Sequence, residues 1–218
     1  QPFCEEEKWP EATAAIIAYF EQQGRPLVFT GIEKAYAEFL GQYDGADFEI
    51  EDDRDNWDYV YEAEKLISLS GRKLHSKKNH LNAFRKMYPQ AEYMPITEDI
   101  ITACKIELNN WYKMRIQDEP DDPFIGWERK AIMEIFNDFD YFNLKGGAIR
   151  LDDRIIAFTF GEALNADTAV IHVEKADPNI RGAYPAINQG FVEHAWSAMT
   201  YINREEDMGH EGLRKAKE

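Results

Sequence analysis

A chain of 218 residues, 44% hydrophobic and 13% aromatic, can bury a sizeable core, which excludes an intrinsically disordered protein. Its formal charge of −16 and pI near 4.8 argue against a general binder of nucleic acid or anionic membrane. No apolar run approaches the roughly 18 residues of a membrane helix, and the opening QPFCEEEKWP lacks the basic-then-apolar build of a signal peptide. Cys4 and Cys104 stand far apart with no metal-ligand spacing around them, so neither a disulfide framework nor a metal site is expected. A cytoplasmic protein is the default, and because the first residue is Gln the chain reads as beginning inside a longer protein.

Residues 11–24, EATAAIIAYFEQQG, show helical spacing closed by Gly24, which suits a left-handed cap. RPLVFTG (25–31) reads as a short strand and KAYAEFLGQYDG (34–45) as a second helix. FEIE (48–51) and YVY (59–61) read as two strand pieces around an acidic turn. From Leu74 the apolar positions Leu81, Phe84 and Tyr88 predict a helix with that stripe buried. Thr97 is a plausible N-cap for a long helix, DEPDDPF (118–124) a surface connection, and residues 127–142 another helix. KGGAIRLDD, RIIAFTFGEAL and DTAVIHVEKAD then change period to that of strands, with RLDDR as a hairpin. PAINQGFVEHAWSAM returns to helix and YINREED closes as a strand. Helix, helix, three strands, helix, strand over 97–207 describes an α/β (α+β) layer with a mainly antiparallel sheet.

Residues 71–86, GRKLHSKKNHLNAFRK, carry Arg72, Lys73, Lys77, Lys78, Arg85 and Lys86 and no acid; without those six charges the rest of the chain stands at −22. Lys73, Lys77 and His80 fall on one flank of the predicted helix, and Lys78, Asn82 and Arg85 on the other. A solvated helix face and an anion-binding surface both fit this island.

In DTAVIHVEKAD the alternation points Ala169, Ile171 and Val173 one way and Val170, His172 and Glu174 the other. His172 and Glu174 could serve as base and orienter or form the polar edge of a half-buried sheet. Arg181 leads a loop into a helix start, a weak generic anion site. Tyr201, Asn203, Glu205 and Asp207 share one face of the last strand, with Arg204 on the other; these polar groups either line a cleft where two strands splay or form a solvated edge.

Taken together, GRKLHSKKNHLNAFRKMYP, HVEKADPNIRGAYPAINQGF and YINREEDMGHEGLRKAK resemble the marker segments of the phosphatidylglycerol lysyltransferase C-terminal domain family, from about residue 57 onward. The resemblance implies two GNAT-like acyltransferase domains in tandem, the first incomplete, over residues 1–93 and 94–218. It implies transfer of an amino acid from an aminoacyl-tRNA, or another activated acyl donor, to an amine or hydroxyl by direct attack. On this resemblance Arg72, Lys73, His75, Lys77, Lys78, Asn79 and Arg181 bind the anionic donor. Asn188, Gln189, Asn203, Arg204, Glu205 and Asp207 frame the cleft, and Glu174, or less favoured His172, accepts the proton. No cofactor or metal is implied beyond the co-substrate. Acyl-CoA as donor and a non-catalytic module binding a small anionic or peptidic ligand are the alternatives.

Overall fold

The computed structural model describes residues 1–118 and 123–218; positions 119–122, at the centre of the expected surface connection, lie outside them. The chain forms two compact units, Gln1–Asn56 and Trp57–Glu218. The expected boundary at 93/94 falls inside the second.

The first unit holds helices α1 (Trp9–Gln22) and α2 (Lys34–Leu40) and no strand among its residues. Gly24 takes φ +62°, as its place after α1 requires. Trp9, Tyr36 and Leu40 are buried together, Trp9 meeting Tyr36 edge-on at 5.1 Å, and the Thr13 and Tyr36 hydroxyls lie 2.7 Å apart. The strands expected at 25–31 and 48–51 are absent. Phe29 and Phe48 pack on the aromatic cluster instead, and an extended segment with no neighbouring strand has no ladder to satisfy its amides.

The second unit is built on a six-stranded sheet of β1 (Val60–Glu62), β2 (Glu92–Pro95), β3 (Lys145–Leu151), β4 (Arg154–Ala163), β5 (Thr168–Ala176) and β6 (Tyr201–Asn203). Their order is β1-β6-β5-β4-β3-β2, and every pairing is antiparallel except β5 with β6. Helices α5 (Glu98–Asp118) and α6 (Pro123–Asn137) cover one face, where Leu108, Tyr112, Ile132 and Phe136 bury Phe158 and Phe160. Helices α3 (Ala63–Ser68), α4 (His75–Met87) and α7 (Ala183–Ala195) cover the other. Because both faces are covered, IIAFTF of β4 is buried throughout, a continuous apolar run in place of an alternating one. Helix α8 (Glu211–Lys217) ends the chain.

The element order expected over 97–207 is the one observed, and Leu74, Leu81 and Phe84 of the basic segment are buried as expected. Their partners are Ile149, Ile156, Ala183 and Ile187, so the basic helix shares its core with β3, β4 and α7. Gly182, at φ +87°, lets the start of α7 press on α4: a Cβ there would lie 2.5 Å from the His80 carbonyl oxygen.

Strand β5 is irregular in two places. Opposite it, Phe160 pairs with Val173 but Gly161 pairs with Ile171, so His172 is the extra residue of a bulge. Val173 therefore joins the α5–α6 layer, while Ala169 and Ile171 face α7, which corrects the single-face alternation expected from sequence. The parallel pairing of β5 with β6 also ends at Val170–Asn203, and β5 continues to Ala176 with that edge unpaired.

Candidate functional site

The unpaired edge of β5 is filled by side chains. Glu174 accepts a hydrogen bond from Asn188 Nδ2 of α7 at 2.8 Å on one oxygen and from Arg204 at 3.0 Å on the other. Glu174 and Arg204 are each 12% exposed, so the pair is largely desolvated and its geometry tightly held. Arg204, which strand alternation sets opposite Asn203 and Glu205 but the family resemblance sets in the cleft, points at Glu174; the strand ends at Asn203 and Glu205 adopts φ +55°. The Tyr61 ring lies 5.8 Å from the Arg204 guanidinium.

Helix α4 delivers Lys77 to the same place. Burial first, and then the Arg204 guanidinium, hold the Lys77 ammonium below its ordinary pKa, with Glu174 opposing them. From the other end of the chain Lys217 enters the same field: burial and Arg204 lower its pKa, and Glu205, Glu206 and Glu174 raise it. Its ammonium donates to the backbone carbonyls of Glu205 and Glu206, and Tyr61 donates its hydroxyl to the Lys217 carbonyl. Sequence reasoning misses Lys217 and Tyr61; a lysine in a C-terminal basic run carries no local signal that it folds back on a strand edge.

His172, the bulge residue, sits between two carboxylates: Nδ1 is 2.8 Å from Glu205 and Nε2 is 3.0 Å from Glu162. The hydrogen bond to Glu205, helped by Glu162 and opposed by burial, raises its pKa. When protonated, the imidazolium donates from both ring nitrogens, clasps β4, β5 and the segment after β6, and has no free lone pair.

The remaining expected residues divide. Asn203 donates to Asp58 at 2.7 Å and accepts from the Glu205 amide at 2.7 Å, and the buried Asp207 takes Arg214, the Tyr59 hydroxyl and the Gly209 amide. Both hold backbone in place beside the site. Arg214, ahead of the other contacts, keeps the Asp207 carboxyl well below the usual range. Gln189 bonds Arg85, Glu193 and the Ile67 carbonyl, tying α3, α4 and α7 together. Arg181 is exposed, its Nε 3.4 Å from His80 Nδ1. Lys73 is exposed, and Asn79 meets only His75, at 3.4 Å. Arg72, His75 and Lys78 line an open concavity of about 500 Å³ with Leu69, Ser70 and Gly71.

No group of three or more potential metal ligands gathers among the described residues, and no described helix is long and apolar enough to cross a membrane.

Comparison with known proteins agrees with this architecture. A protein of Bacteroides thetaiotaomicron of unknown function superposes with a TM-score of 0.84 at 36% identity, over 95% of this chain and 70% of that one. A C-terminal domain assigned to a lysylphosphatidylglycerol synthetase of Agrobacterium fabrum shares the fold at 13% identity, with a TM-score of 0.58 over 92% of this chain and 60% of that one. An uncharacterized protein of Mycoplasmoides gallisepticum is 30% identical over 164 residues, which are 73% of this chain; the match spans half of that relative's length. The sequence profile of the phosphatidylglycerol lysyltransferase C-terminal domain matches residues 1–218, and the chain belongs to that family.

Proposed function

We propose that the protein is an aminoacyltransferase of GNAT-like architecture, moving an amino acid from an aminoacyl-tRNA to an amine or hydroxyl, with Glu174 as proton acceptor. The observation that carries this reading is convergence: the basic helix, through Lys77, and the closing strand, through Arg204, meet at one desolvated carboxylate beside the open edge of β5. The family's association with lysyl transfer supports the reaction class, and the parallel β5–β6 pair that parts after Val170 supports the architecture. The tandem arrangement finds no second sheet in residues 1–56 to support it.

In this reading the acceptor's nitrogen or oxygen attacks the ester carbonyl of the donor. A carboxylate oxygen can accept more than one hydrogen bond, so Glu174, oriented by Asn188 and Arg204, still has a lone pair for the acceptor's proton. Negative charge gathers on the carbonyl oxygen in the tetrahedral intermediate, and Lys77 and Arg204 are the cations placed to stabilise it. The ribose hydroxyl leaves with a proton, completing the exchange of one C–O bond for a C–N or C–O bond. His172 serves here as a positioning residue, through Glu205.

The test is a single-turnover assay with labelled aminoacyl-tRNA and a panel of amine and hydroxyl acceptors, with acetyl-CoA as the rival donor. Glu174→Gln, nearly isosteric, is expected to lower the transfer rate by roughly 10²- to 10⁴-fold while donor binding holds. Undiminished transfer in that variant overturns the assignment, and transfer from acetyl-CoA alone replaces the donor.

A further inference from the structure

The basic segment does not present one face. Consecutive residues of α4 serve different surroundings: Lys77 is half-buried towards Glu174 and Arg204, while Lys78 turns outward to the concavity it shares with Arg72 and His75. From Lys65 to Ala91 the chain contains no acid. Arg72 has no hydrogen-bond or ion-pair partner among the described residues, and Lys78 and His75 meet only neutral groups, the Ser68 carbonyl at 3.4 Å and the Asn79 side chain. Two fixed positive charges, Arg72 and Lys78, stand at one hollow of an acidic protein with no ion-pair partner among the described residues.

We propose that this concavity is a phosphate-binding seat, separate from the Glu174 site, in which Arg72 and Lys78 hold the phosphoryl oxygens and His75 adds a third donor. The charge count favours a phosphate over a carboxylate: a group carrying about −1.5 to −2 matches the fixed charges of one arginine and one lysine, and a single negative charge leaves one uncompensated. Arginine's planar fork suits two phosphoryl oxygens at once, while lysine supplies a point charge. The first turn of α4, which brings His75 and Lys78 to the hollow, carries no acid. The side of the hollow towards the core is apolar, formed by Leu69, so the carrier of the phosphate meets an uncharged surface there. This deepens the transferase reading, on which it rests for its link to catalysis, by giving the phosphate-bearing part of a donor its own seat; as a binding site it stands alone.

The experiment is calorimetric titration of the full chain with inorganic pyrophosphate and, separately, with AMP, at low and physiological salt. The wild type is compared with Arg72→Ala/Lys78→Ala and with Lys86→Ala/Lys215→Ala, which removes the same charge from two exposed lysines outside the concavity. Saturable binding that weakens about tenfold or more in the first double variant and less than about twofold in the second is expected. Tighter binding of AMP than of pyrophosphate identifies a nucleotide as the carrier, and equal binding identifies the bare phosphate. Absence of saturable binding, or equal weakening in both double variants, overturns the seat. Glu174→Gln is expected to bind pyrophosphate like the wild type, so loss of the seat and loss of the transfer reading are read from different variants.

Discussion

The second unit contains two clusters in which buried carboxylates meet an arginine, one in each helical layer, and they are built in opposite ways. On the α7 side one carboxylate, Glu174, has a hydrogen bond on each oxygen and lies in the field of Arg204, Lys77 and Lys217, the last of which Glu205 and Glu206 also attract. On the α5 side two carboxylates share one cation: Arg154 lies 2.7 Å from Asp177 and 3.6 Å from Glu107, and the other oxygen of Glu107 is buried with no partner. Burial, above all, pushes the Glu107 carboxyl up to about 7; Asp177 adds to this, and Arg154 and Asn110 oppose it. Asp177 moves the other way, because Arg154 and the Asn179 amide outweigh its own burial. A carboxylate with both oxygens held beside an open strand edge is oriented for a substrate. Two buried carboxylates sharing one half-exposed arginine suit a proton.

Variants at the two clusters sharpen or break that contrast. The largest effect belongs to Glu174→Gln, expected to remove transfer and leave the fold intact; Glu107→Gln is expected to leave transfer unchanged, and loss of activity there would make the second cluster a site as well. Next comes stability. A carboxyl raised from 4.5 to about 7 on folding favours the protonated form, so the native state gains stability as pH falls from about 7 towards 4.5 and loses it as pH rises. Glu107→Gln should therefore stabilise the protein above pH 7, on the order of 3 kcal/mol at most, and flatten that window in denaturant titrations at several pH values. His172 has a smaller effect of defined sign. Its folded pKa is raised, so its contribution is complete below the unfolded value of 6.5 and disappears as pH rises through the folded one. His172→Gln should thus destabilise at pH 6 and hardly at all at pH 9, by less than about 1 kcal/mol because all three partners are partly exposed. Smallest is Lys73→Ala, exposed and outside both the Glu174 cluster and the concavity, expected within about 0.5 kcal/mol of wild type by thermal denaturation.

Period is the legible part of this molecule. Hydrophobic spacing locates every element from 97 to 207 and the buried stripe of α4, since those patterns reflect which face each element buries. It fails where a local pattern has no tertiary partner, as at 25–31 and 48–51, and where one residue breaks the phase, as at His172. Glu174 stands out from its strand, but its partners come from 14 and 30 residues further along, and Lys77 from a helix whose charges all look alike in sequence. Alternation alone puts Arg204 on the other side of the strand, because no local signal marks that β6 stops after three residues; its place in the cleft comes from the family resemblance.

Gly161 stands opposite the bulge, where a Cβ would lie 2.1 Å from the Val170 carbonyl oxygen, so the irregularity is fixed from both strands. The extra residue acts as a gear between two halves of one strand. Ahead of it β5 keeps step with β6; behind it the same strand is turned by one position, which sends Glu174 towards α7 and Lys175 towards Glu128 of α6. A deletion of one residue at His172 would leave a smoother ladder and an almost unchanged composition. It would leave Glu174 and Lys175 in the layers they now occupy; smoothing the ladder with His172 retained is what would exchange the two charges, burying the acid against Trp111 and Tyr112, where Lys175 now rests, and setting the lysine against Arg204.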